Sequence, residues 1–111
     1  MFRVDSNSNI AITRGDTGVL SINLTNKDGT EYVMQSGDVL VMTVKQSTRT
    51  KDVILQKTFA DGQIKINPAD TEQLSYGDYV YDIQLTTAAN EVFTVITPHK
   101  FTIAEEVTWI E

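Results

Sequence analysis

Between Tyr79 and Leu85 every second residue is large and apolar: Tyr79, Tyr81, Ile83 and Leu85 alternate with Val80, Asp82 and Gln84. A period of two places those four on one face of a β-strand, so the segment reads as a strand whose one side is covered by a core. The preceding Leu74-Ser75-Tyr76-Gly77-Asp78 reads as a turn ending at a glycine, so the strand begins at a corner. This is a statement about architecture, and it carries no chemistry.

The rest of the chain repeats the theme in shorter pieces. Ile10 and Ile12 alternate with Ala11 and Thr13; Leu20, Ile22 and Leu24 alternate with Ser21, Asn23 and Thr25. Arg14 to Gly18 reads as a turn between them, and Asn26-Lys27-Asp28-Gly29 as a tight hairpin turn, because Asp-Gly accepts positive φ. A short strand is expected over Tyr32–Met34 and a turn at Gln35-Ser36-Gly37-Asp38. Val39 to Lys45 reads as a strand with Leu40, Met42 and Val44 inward, followed by a polar loop from Gln46 to Lys51. Val53–Phe59 and Gln63–Ile66 flank Ala60-Asp61-Gly62 and predict a hairpin. Asn67-Pro68-Ala69-Asp70 has the form of a helix start, with proline at the first helical position, but Gly77 leaves room for one or two turns. Val92–Thr97 is a further strand; Pro98 is expected to interrupt it before Lys100–Ile103 resumes as a last one.

About eight short strands with turn chemistry between them predict one all-β domain over residues 1–111, an immunoglobulin-like antiparallel β-sandwich with one short helical turn. Tyr79, just past the Gly77 corner, takes the place of a corner tyrosine whose phenol bonds back to upstream backbone. Tyr79, Tyr81 and Gly77 are thus structural residues, and Tyr81, Ile83, Leu85, Leu20, Ile22 and Met42 are expected in the core.

Composition closes several functional routes. With 111 residues the chain is of one-domain size, able to bury about two-thirds of its unfolded surface. It is 41% hydrophobic and 22% charged, which argues against global disorder. A formal charge of −6 disfavours nucleic acid, because few cations are available to replace the counterions of a phosphate backbone. The absence of cysteine removes disulfides, thiolate metal sites and cysteine nucleophiles together. The first residues lack the apolar core of a signal peptide, and no apolar run reaches membrane-spanning length, so synthesis in the cytoplasm and no membrane partner are expected.

Each candidate for chemistry has a plainer structural reading. His99 is the single histidine, beside Pro98 in an expected loop, with neither a base partner nor further metal donors nearby in sequence. Asp5, Asp16, Asp28, Asp38, Asp61 and Asp78 sit at expected turns without calcium-loop spacing. Arg14-Gly15-Asp16 matches the tripeptide that integrins read, but a turn role for Gly15 explains it without a receptor. Asn23-Leu24-Thr25 fits the glycosylation sequon inside an expected strand, and Lys45, Arg49 and Lys51 form a diluted basic cluster. No catalytic, cofactor-binding or metal-ligating residue is assigned, and the chain is read as a non-enzyme. Tyr76 and Trp109 are the aromatic residues expected at the surface. Trp109 and Ile110, in an apolar terminal segment, and Phe101, at an expected strand edge, are the candidate interface residues.

Taken in order, Ile12-Thr13-Arg14-Gly15-Asp16-Thr17, Val41-Met42-Thr43-Val44-Lys45, Ile66-Asn67-Pro68-Ala69-Asp70-Thr71, Leu74 to Leu85, and Lys100-Phe101-Thr102-Ile103 cover nearly the whole chain. This series resembles small β-sandwich proteins of tailed phages and prophages of Gram-positive bacteria, and within them the N-terminal domain of baseplate upper proteins. Larger members continue into a linker and a receptor-binding platform; this sequence reads as a stand-alone version. The resemblance implies a virion structural protein for tail or baseplate assembly, made in the host cytoplasm, with other virion proteins or further copies of itself as partners. The competing expectation is a carbohydrate- or host-surface-binding sandwich that stacks a sugar on Tyr76 or Trp109.

Overall fold

The computed structural model describes residues 2–60 and 63–105. In chain order the described elements are β1 (Phe2–Val4), β2 (Ile10–Thr13), β3 (Gly18–Ser21), β4 (Val39–Lys45), β5 (Val53–Thr58), β6 (Gln63–Ile66), α1 (Pro68–Thr71), β7 (Gly77–Thr86) and β8 (Val92–Ala104). The six-stranded sheet runs β1-β2-β8-β7-β4-β5, and β3 and β6 form a two-stranded sheet. The fold is all-β and sandwich-like. The third and sixth strands pair in the small sheet, and β8-β7-β4-β5 lie side by side in the large one.

The core follows the alternation. Leu40, Met42 and Val44 from β4, and Tyr79, Tyr81, Ile83 and Leu85 from β7, are buried beside Ile10, Ile12, Phe101 and Ile103. Leu20, Ile64 and Ile66 are buried on the small sheet, and Ile22 packs against the cluster while half-buried. Phe101 is the main correction to the interface residues. It is fully buried, with Ile10 of β2 on one side and Tyr79 of β7 on the other, so its strand has no free edge there. Its ring meets Tyr81 edge-on, centroids 6.3 Å apart. Trp109 and Ile110 lie outside the described residues.

Four further expectations change. The β2–β8 pair is parallel, so the large sheet is mixed and not antiparallel throughout. Val53–Phe59 and Gln63–Ile66 do not form a hairpin: β5 pairs with β4 and β6 with β3, and a single Ala60–Gln63 bridge marks the passage between sheets. Crossing there lets Leu55 and Ile64 both face the core from different layers. No strand forms over Tyr32–Met34, and β3 stops at Ser21; beyond it a Thr25–Glu31 bridge closes the Asn26–Thr30 turn. At the start of the chain, β1 was not expected. It brings the Phe2 ring over Gly18, where an added Cβ would meet the ring at 2.5 Å, so only glycine admits this approach.

The longest strand, β8, runs through Pro98. Tyr81 pairs with His99, Ile83 with Ile96, and Gln84 with Thr94, so β8 carries two residues more than β7 over this stretch. Two bulges absorb them, and a bulge tolerates a residue without an N–H.

The Gly77 corner is built as the sequence suggests. Gly77 has φ 131°, and the Tyr79 hydroxyl donates to the Ser75 carbonyl at 2.8 Å. Tyr79→Phe keeps the ring and leaves that carbonyl without its donor. Urea unfolding of this variant is expected to give a stability lower by about 1 kcal/mol. An unchanged midpoint would remove the corner bond from the account.

Candidate functional site

The Arg14-Gly15-Asp16 turn is an internal clamp. Arg14 N–H donates to the Ala104 carbonyl at 3.0 Å, and the guanidinium lies 4.3 Å above the Tyr76 ring centre, reaching the Leu74 carbonyl at 3.5 Å. Gly15, with φ 83°, donates its N–H to the fully buried Thr71 hydroxyl at 2.9 Å. The tripeptide thereby ties the end of β2 to β8, to α1 and to the corner before β7. A receptor reading it would have to lift Arg14 from an aromatic face. Tyr76 is accounted for by the same contact: one face carries Arg14, and the ring packs against the core cluster.

The titratable residues serve local structure. Asp5 accepts from the N–H groups of Asn9 and Asn7, which hold its carboxyl below the usual range. Asp28 is lowered by the Thr30 hydroxyl first and its N–H second. Asp78 accepts from the Thr102 hydroxyl at 2.8 Å and lies 3.7 Å from Lys100. His99 sits in β8 and not in a loop, half-buried, with Nδ1 against the Thr97 carbonyl. Among the described residues no group of three or more histidine or acidic side chains is placed to hold a metal ion. No helix there is long and apolar enough to cross a membrane.

Asp38 does the most local work. It accepts from the Tyr32 hydroxyl, from Gln35 N–H at 2.9 Å and from Ala88 N–H at 3.3 Å, joining the 32–38 segment to the β7–β8 loop. The Tyr32 bond, followed by the backbone donors, holds its carboxyl below the ordinary value. A carboxyl lowered in the folded state stabilises it above the unfolded value of about 4, and that contribution is lost as pH falls through the lower, folded value. Asp38→Asn is therefore expected to flatten the fall of the thermal midpoint as pH drops below about 4. Parallel wild-type and variant profiles would exclude Asp38 as a source of acid sensitivity.

Two hollows lined by described residues bear on binding. The first, about 320 Å³ on the outer face of the large sheet, is bordered by Thr43, Lys45, Gln56, Val80, Asp82 and Pro98. Among the described residues the aromatic that lines it is Tyr81, whose ring is buried in the core, so these residues offer it polar contacts without an exposed stacking plane. The second is about 450 Å³ and more apolar, lined by Leu24, Tyr32, Leu85, Phe93 and Val95, with Lys27 at its rim. Phe93 pairs with the buried Leu85 on the core-facing side, yet remains 50% exposed. The strands of the small sheet are only four residues long, and beyond them Leu24 and Tyr32, outside any strand, border this end of the large sheet.

Beside that hollow runs an open strand edge. β2 pairs with β8 only from Phe101 to Ala104, and no other strand among the described residues pairs with the outer side of Val92–His99. An unpaired edge next to an apolar hollow is what an added strand needs, with backbone bonds for affinity and a recess for side chains. Phe93 and Val95 were not singled out from sequence. Their signal was the uncharged run Val92-Phe93-Thr94-Val95-Ile96-Thr97, too long for a covered strand end.

No protein-family model and no curated protein matches the chain.

Proposed function

We propose that the chain is a structural module of a tailed-phage virion, used in tail or baseplate assembly, that works through protein–protein contacts and performs no catalysis. The observation that carries this reading is the open β8 edge adjoining the Phe93 hollow, a surface suited to another polypeptide. The ordered likeness of its motifs to phage sandwich domains supplies the virion setting. On this reading the protein needs no cofactor, its partners are other virion proteins, and it resides in the particle after synthesis in the host cytoplasm. The sugar-binding alternative loses one of its two platforms, because the Tyr76 ring is held between Arg14 and the core.

The test is the composition of purified phage particles released by the cell that encodes the chain. Mass spectrometry should find the protein at a fixed ratio to the tail proteins, and immunogold labelling should place it on the tail. Its absence from intact, infectious particles would end the virion reading.

A further inference from the structure

The polarity of the β8 edge can be worked out from its neighbours. The Leu40 carbonyl accepts from Phe59 N–H at 2.8 Å on the β5 side, so Leu40 does not bond across to its β7 partner Leu85. Leu85 then bonds Phe93 on β8, and alternation turns the N–H and C=O of Thr94 and Val92 away from β7. At the far end Lys100 N–H also points away from β7, donating to Asn9 Oδ1 at 3.1 Å. Pro98 has no N–H to give, so it closes the pairable stretch.

The charges flanking this stretch decide what fits it. The chain carries −6 overall, so two copies repel across most faces, yet Val92–Thr97 contains no charge at all. Glu91 stands at one end of the run and His99-Lys100 at the other. A second β8 laid antiparallel brings Glu91 of each copy toward Lys100 of the other; laid parallel, it would set like charges side by side. We propose that two copies of this chain associate by antiparallel pairing of their β8 edges about a two-fold axis through the Val92–Thr97 run. The contact is self-complementary and closes at two subunits. It merges the two large sheets and sets the half-exposed Phe93 ring beside the apolar run of the other copy. This deepens the assembly reading of the same site and rests on it.

Sedimentation equilibrium of the full chain to about 100 µM decides the matter. A dimer is expected. Glu91→Lys and Lys100→Glu should each weaken it about ten-fold, since each change acts at two symmetric contacts. The first is the cleaner, because Lys100 also neighbours Asp78. The two together restore opposite charges and should recover the dimer. Thr94→Pro removes an outward N–H without taking a bond from β7, and should leave a folded monomer. If that variant fails to fold, the charge exchange decides alone. A monomer across the whole range, or a double variant no stronger than its parents, would overturn the pairing. A monomer found in particles sinks the pairing and keeps the virion role; a dimer absent from particles does the reverse.

Discussion

Phe101→Ala should lower the folding free energy by about 3–5 kcal/mol, the range for emptying a fully buried phenyl site. Total stabilities of single domains are roughly 5–15 kcal/mol, so the variant is expected to sit near the edge of folding. Its thermal midpoint should fall by at least about 10 °C. The size follows from position: the ring has no exposed surface, meets Tyr81 edge-on, and lies between β2 and β7. The β2 contact joins residues far apart in sequence, so local repacking has little to draw on. Phe101→Leu keeps most of the volume and should lose less. An interface role predicts the opposite pattern, a fully stable variant with weaker assembly. A midpoint within a degree of wild type would return Phe101 to the surface.

What was legible in the sequence was local. Period two gave the inward faces of β4 and β7, and asparagine–proline chemistry placed α1. Each of these is decided within a few residues. Pairing is not, because alternation tells a strand which face is covered but not which strand lies beside it. That is why β5 and β6 read as a hairpin, although one belongs to each sheet, and why the parallel β2–β8 pair went unforeseen. β8 failed for a different reason. Its core-side positions step from Phe93 to Ile96 to His99, three residues each time, before returning to steps of two at Phe101 and Ile103. Pro98 reads as the end of a strand, and the two bulges that let β8 carry it through also break the period that would have joined its halves.

The same broken period hid the candidate surface. With Lys100–Ile103 read as a separate last strand, Phe101 falls at an expected edge, while Val92–Thr97 reads as one more strand with no sign of which neighbours it has. The structure encloses Phe101 between two strands and, among the described residues, leaves the outer side of Val92–His99 unpaired. An edge is a property of the sheet, set by how far β2 extends, and four residues of β2 reach only to Phe101. The Arg14-Gly15-Asp16 turn shows the converse. Its chemistry was visible at once, but its function as a clamp depends on Tyr76 and Thr71, some sixty positions away.

Thr71→Val tests that clamp directly and should cost about 1–3 kcal/mol. Thr71 is fully buried, and its hydroxyl accepts from Gly15 N–H at 2.9 Å. Valine has nearly the same shape, so packing is kept and only the acceptor is removed. Gly15 cannot easily turn its N–H elsewhere: Arg14 on one side is bonded to Ala104, and Asp16 on the other donates to Thr13. The donor is therefore left without a partner, and that desolvation cost exceeds the net value of an ordinary hydrogen bond. Thr71→Ser retains the hydroxyl and should recover most of the loss, whereas a variant limited by its methyl group would behave in the opposite order. Arg14→Ala should remove the cover from Tyr76 with a smaller effect, because the backbone bonds of the turn remain. If Thr71→Val unfolds at the wild-type denaturant midpoint, the turn is held by its own backbone, and the buried threonine does not bind it to α1.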